Sequence, residues 1–293
     1  LAGGGLVGTS LSGTVTDTIT GGTIDFGSAD GYVLFGGQNS TVNTTINSAI
    51  TGLSPNGVTY SGQAFSGVAQ AGTLTFGALF ANTYVGTTTI NSGNYTIAAG
   101  VANASVFGTG AVVITGGIGN TVITSNAALI LANPIVFNDS VVTFNGTTGI
   151  TLAGSVTLIG ANALVGSNTT ITQSNTGGLT FGGSIGGSGG LAILGVSPVS
   201  FDNANTYSGG TILEGSTTAP GQVINISNSL AFGTGVLEAG EGNPPQNRTV
   251  GESAGALALA ASSLIALRFR DRTDRGQYVE GTMLGSLAYA VAD

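Results

Sequence analysis

Glycine, asparagine or aspartate interrupts this chain about every ten residues, and only short runs of alternating residues lie between the interruptions. TVTDTIT (Thr14–Thr20), TIDFG (Thr23–Gly27), TLTFG (Thr73–Gly77), AVVITGG (Ala111–Gly117), SVVTFNG (Ser140–Gly146), GITLAG (Gly149–Gly154) and SVTLIG (Ser155–Gly160) share one pattern. Val, Ile, Leu or Phe occupies one face of each run, and mostly Thr or Ser the other, which is the period of a half-buried strand. In GITLAG, Ile150 and Leu152 fall on one side and Thr151 on the other. Thr is β-branched and polar, so it suits the wet side of a strand. Helices are excluded over most of the length, because Gly is costly inside a helix and the chain holds 52 of them. Asn56–Gly57 and Asn145–Gly146 supply turn residues that tolerate positive φ.

Many short strands are compatible with a sandwich, a barrel, a propeller or a solenoid. An internal duplication decides among them. ANTYVGTTTINSG (Ala81–Gly93) is followed by ASVFGTGAVVITGG (Ala104–Gly117), and ANTYSGGTILEG (Ala204–Gly215) by NSLAFGTGVLEAG (Asn228–Gly240). The copies are offset by 123 residues at the Tyr (84 to 207) and by 125 at FGTG (107 to 232). Blades of a propeller repeat far more closely. The pattern fits a β-solenoid in which each unit supplies one or two coils. Coils of roughly 20–25 residues would give the whole chain about twelve to fourteen turns.

Charge narrows the function. All five basic residues are Arg: Arg248, Arg268, Arg270, Arg272 and Arg275. Asp17, Asp25, Asp30, Asp139, Asp202, Glu214, Glu238 and Glu241 precede them, so the net charge of −8 falls on residues 1–247. A body without clustered cations is unsuited to phosphate backbones and to anionic membrane surfaces, so no nucleic-acid partner is expected. A hydrophobic content of 41% separates the chain from disordered ones and gives it the means to bury a core. There is no Cys and no His, which removes disulfides, thiolate metal sites and the commonest general base.

Asp17, Asp25 and Asp30 are the close acids, and solvated turn positions account for them better than a paired-carboxylate site. GGTIDFGSADG (Gly21–Gly31) resembles a calcium-binding Gly–Asp repeat but occurs once. GGSIGGSGG (Gly182–Gly190) lacks the Lys and helix of a phosphate loop. Asn94-Tyr95-Thr96 and Asn138-Asp139-Ser140 are glycosylation-type triplets of the kind that a chain rich in Asn and Thr produces by chance. RFRDRTDR (Arg268–Arg275) is near neutral and reads as a solvated edge. AGALALAASSLIAL (Ala254–Leu267) is too short to span a bilayer as a helix. No catalytic residue, cofactor or metal is expected, and the chain is read as a non-enzyme.

GGSGGLAILGVSPVSFDNANTYSGGTILEG (Gly186–Gly215) resembles the autotransporter-associated β-strand repeat, also called the passenger-associated transport repeat. The second copy carries the motif at Gly187-Ser188-Gly189-Gly190-Leu191, Asn205, Thr206, Tyr207, Gly209 and Thr211. The first carries it at Asn82, Thr83, Tyr84, Gly86 and Thr88, then Ile90 and Gly93. Its entry, SGVAQAGTLTFG (Ser66–Gly77), departs from the Gly-Gly-Leu pattern. Both copies end in the same turn, Phe107, Gly108 and Gly110 in one and Phe232, Gly233 and Gly235 in the other.

The resemblance implies an all-β, right-handed parallel β-helix (β-solenoid), the exported passenger of a bacterial surface protein. The body would cover residues 1–247, with repeat units at about 66–117 and 186–240, and residues 248–293 would form a C-terminal β segment or cap. The role implied is structural or adhesive at the cell surface, outer-membrane-associated or secreted. The partners implied are an outer-membrane β-barrel translocator outside this chain and a host-cell surface, matrix or polysaccharide. The chain starts at Leu1 rather than Met and is read as a fragment or processed segment, with the barrel beyond it or with export by another route. In such a rod Asn82 and Asn205 are expected at turns, bonding neighbouring backbone or stacking on another Asn. Tyr84 and Tyr207 are expected to cover an apolar edge with the hydroxyl in water.

Two other functions remain. One is a β-helical polysaccharide lyase or hydrolase, disfavoured by the missing His, Lys and clustered acids. The other is a surface- or ice-binding solenoid with Thr ladders, suggested by Thr87-Thr88-Thr89 and many Thr-x-Thr steps. The drift from 123 to 125 is expected to break such ladders.

Overall fold

Each strand turns one apolar file inward, and successive strands place those files on top of one another. Ile171 lies beside Ile193, and Ile193 beside Leu213, all three buried. A computed structural model describes residues 4–8, 13–36, 40–52, 57–62, 72–77, 81–98, 105–115, 120–160, 169–215 and 222–239. The chain divides into the units Leu1–Pro245 and Gln246–Asp293, and every described residue belongs to the first. The C-terminal segment 248–293, with its Arg cluster and the apolar run Ala254–Leu267, lies outside the described residues.

The protein is an all-β parallel solenoid. Among the described residues every strand pairing is parallel, and three sheets form its faces. The first face has eight strands, beginning with Gly5–Gly8 and Gly31–Phe35 and ending with Val156–Ile159 and Ile185–Gly187. The second has ten, from Gly13–Asp25 and Ser40–Thr51 to Thr211–Gly215 and Leu237–Ala239. The third has five: Leu129–Leu131, Ile150–Leu152, Leu179–Phe181, Val199–Phe201 and Ile224–Ile226. Parallel neighbours cannot be joined by a hairpin, so the chain passes around the other faces between one rung and the next.

The runs Thr14–Thr20 and Thr23–Gly27 do not form separate strands. They lie mostly on one long strand, Gly13–Asp25, whose register with Ser40–Thr51 shifts between Thr20 and Thr23. Gly21 and Gly22 make that bend with φ of 81° and 64°, a region in which a side chain is strained.

Coil length varies more than the sequence suggests. Leu191 stands beside Thr211, 20 residues on, whereas Val42 stands beside Gly72, 30 residues on. The expected range of 20–25 is thus too narrow. The strands stay in register nonetheless, so the added residues are accommodated between strands.

The interior is aliphatic with aromatic inserts. Phe181 and Phe201 stack at 5.0 Å with an interplanar angle of 9°, and Phe232 meets Phe201 edge-on at 5.6 Å. Tyr60 packs edge-on against Phe76, and Phe76 against Phe107. Ile193 is fully buried between Ile171 and Leu213 of the neighbouring rungs, so Ile193→Val should lower stability by about 0.5–1.5 kcal/mol, read as a shift in the urea midpoint.

Candidate functional site

The two ANTY phrases and the two FGTG turns belong to one structure. Each phrase on one coil docks against the turn on the next coil, and an Asn amide ties that pair to the coil before. In the first copy, Ile50 N–H donates to Asn82 Oδ1 at 2.8 Å, and Asn82 Nδ2 donates to Val106 C=O at 2.6 Å. In the second, Ile185 N–H donates to Asn205 Oδ1 at 2.7 Å, and Asn205 Nδ2 donates to Ala231 C=O at 2.6 Å. Both Asn side chains are buried, so each bridges backbone groups of three consecutive coils inside the protein.

The Tyr side chains do not reach water. Tyr84 is 1% exposed and Tyr207 0%, which corrects the expectation of a wet hydroxyl. The reason is an internal partner four residues on. Tyr84 Oη lies 2.7 Å from Thr88 Oγ1, and Tyr207 Oη lies 2.5 Å from Thr211 Oγ1. Each Thr hydroxyl donates in turn to the turn Phe, Thr88 to Phe107 C=O at 2.7 Å and Thr211 to Phe232 C=O at 3.1 Å. The Tyr carbonyl is used as well: Thr109 N–H donates to Tyr84 C=O at 3.0 Å and Thr234 N–H to Tyr207 C=O at 2.9 Å. Spacing the Tyr and Thr four apart, in both copies, is the signal that could have located this network.

Gly108 and Gly233 have φ of 68° and 71° and lie directly over the Tyr backbone. A Cβ on Gly108 would stand 2.7 Å from Tyr84 O, and one on Gly233 2.4 Å from Tyr207 O. Gly108→Ala should therefore cost about 1–3 kcal/mol through strain and forced displacement, read as a lower denaturation midpoint. Gly110, Gly209 and Gly235 stand equally close to backbone of an adjoining coil. Gly86 is buried within the phrase, and Thr83 and Thr206 are exposed side chains whose N–H groups donate to Ile50 and Ile185 C=O.

The copies occupy different faces. The first stacks on Ile50 of the second-face strand Ser40–Thr51 and leads into the first-face strand Thr88–Ile90. The second stacks on Ile185 and Gly187 of the first face and leads into the second-face strand Thr211–Gly215. The motif is thus portable between corners of the solenoid.

Burial sets the acidity of these phenols. Desolvation pushes Tyr84 and Tyr207 up to about 12, although the bonds to Thr88 and Thr211 pull the other way. Tyr60, whose Oη lies 3.4 Å from Tyr84 Oη, and Tyr95 are also raised by burial. Phenols held neutral in this way are neither nucleophiles nor bases near neutral pH. The arrangement is built for cross-linking coils.

The remaining candidates take local structural positions. Asp25 Oδ1 accepts from Gly27 N–H at 2.8 Å, and Asp30 Oδ1 accepts from Gly57 N–H at 3.1 Å. Asp17 is an exposed residue paired with Thr44 in the ladder. Gly183 and Gly187 of the Gly182–Gly190 stretch pass so close to Gly154 and Leu158 that a Cβ would overlap their carbonyl oxygens, which is a packing requirement. Among the described residues no three acids gather as metal ligands would. The hollow between Ile46, Ser48, Phe76 and Asn82 has room for about one water molecule. Compared with protein families, curated proteins and solved structures, the chain matched none.

Proposed function

We propose that this chain is a passenger-type β-solenoid of the bacterial exterior, with a structural or adhesive role and no catalysis. The observation that carries the reading is the coil clasp, built twice from ANTY-x-G-x-T and FGTG with the same hydrogen bonds. Those residues carry the resemblance to the autotransporter-associated repeat, and their shared geometry gives the repeat a physical purpose. Three features support passage through a narrow pore in an extended form. There is no Cys to cross-link, there are few charges to desolvate, and the coils contact their neighbours so that folding can propagate from one end. On this reading an outer-membrane β-barrel translocates the chain, and its target is a host-cell surface, a matrix or a polysaccharide.

The test is surface display. The chain is placed between an export signal and an outer-membrane barrel, and its exposure is scored by protease shaving of intact cells. The full chain should reach the exterior, and a variant with both Asn82 and Asn205 changed to Ala should stall. A variant displayed as well as the parent would separate the clasp from export, and failure of the parent to be displayed would remove the reading.

A further inference from the structure

The second face carries a threonine file that the irregular coils do not disturb. Thr18 lies beside Thr45, Thr45 beside Thr75, Thr75 beside Thr96, and Thr96 beside Thr124. All five alternate with core residues and point away from the core; Thr18 is exposed and the other four are partly buried by their neighbours in the file. Two residues away runs a second outward file: Thr16, Asn43, Thr73, Asn94, Val122 and Thr143. Rungs about 4.8 Å apart and residues about 3.3 Å apart make a grid of about 4.8 by 6.6 Å. The five rungs span roughly 19 Å.

This array is not a by-product of composition. The first face has the same need for polar outward residues, yet its file reads Tyr32, Thr59, Thr89, Val113, Val136, Thr157 and Gly186. The third reads Ile130, Thr151, Thr180, Ser200 and Asn225. The expectation that uneven coils would break a ladder is overturned over these five strands, because sheet register holds the threonines in line although successive offsets are 27, 30, 21 and 28 residues.

We propose that this face binds ice. Up to the bend at Gly21, the outward positions of these five strands carry no charge, which matches an uncharged partner and mismatches ionic polymers. No aromatic side chain stands in either file, so the stacking platform that sugar rings use is missing. Thr offers a hydroxyl and a methyl from one stiff, β-branched side chain, already ordered by the strand. A rigid grid loses little entropy when it meets a rigid lattice, so many weak contacts can add. The rung repeat is close to the shorter oxygen repeat of an ice prism face, and the along-strand repeat falls short of the longer one by roughly a tenth. The inference does not depend on how the chain is exported.

The experiment measures thermal hysteresis and ice recrystallisation with the purified full chain. The parent should show both effects. Thr75→Tyr, in the middle of the file, should abolish them, and Thr45→Lys should do the same by placing a charge on the grid. Thr59→Tyr on the first face should leave them intact, with circular dichroism verifying the fold of each variant. A parent without hysteresis, or an equal loss from Thr59→Tyr, overturns the proposal. Retention on insoluble cellulose or chitin without any effect on ice also overturns it, in favour of a polysaccharide.

Discussion

Replacing Asn205 with Ala should destabilise the coils around it by about 2–6 kcal/mol, since two buried backbone groups lose their partners at once. Ile185 N–H and Ala231 C=O each bond to that one amide, and neither is placed to find water. Stability in a solenoid is a sum over neighbouring coils, so a global melting curve is a poor measure of a local loss. Amide hydrogen exchange is the better one. The Ile185 amide should exchange faster by several orders of magnitude, while coils distant from the clasp stay protected. Asn205→Asp separates the two bonds: it keeps an acceptor for Ile185 and sets a carboxylate oxygen against Ala231 C=O. Thr206→Ala, one position on and exposed, should change stability by less than about 0.5 kcal/mol. If Asn205→Ala were as mild as Thr206→Ala, the bridging amide would not be what holds these coils.

The second large effect is alkaline unfolding. In the unfolded chain a Tyr loses its proton near pH 10, whereas Tyr84 and Tyr207 in the folded protein hold theirs to about 12. Below pH 10 both states are protonated, and stability is independent of these groups. Between about 10 and 12 the unfolded state binds fewer protons than the folded state, so stability falls as pH rises. The shift is about 2–3 kcal/mol for each of the two phenols, and Tyr60 and Tyr95 add losses of the same sign. The chain has seven Tyr and Tyr32 is exposed, so the absorbance belonging to Tyr84 and Tyr207 is read as the difference between the parent and the Tyr84→Phe and Tyr207→Phe variants. That difference and the far-ultraviolet circular dichroism should change together, in one steep step. Gradual ionisation near pH 10 with the fold intact would show that these hydroxyls are wet.

Much of the architecture was readable because strand periodicity is a local property. GITLAG gives Ile150 and Leu152 inward and Thr151 outward, and the structure places them so. SVTLIG and SVVTFNG behave likewise. Which rung lies beside which is not a local property. Offsets that range from 20 to 30 conceal the alignment of Thr45 with Thr75 and Thr96 until the sheet is drawn. The site was legible to a lesser degree. The phrase marked Asn82 and Tyr84 as special, and a turn amide bonding nearby backbone was a fair reading. Burial of the Tyr was missed because the hydroxyl's partner comes from the same strand entry, at Thr88, rather than from solvent.

The pair of clasps has a mechanical meaning. Pulled from one terminus, a solenoid peels coil by coil, and each ordinary rung yields at a similar load. An amide that pins three turns at once is a catch in that sequence. A force–extension trace should then show two taller peaks, one as Asn205 lets go and one as Asn82 does.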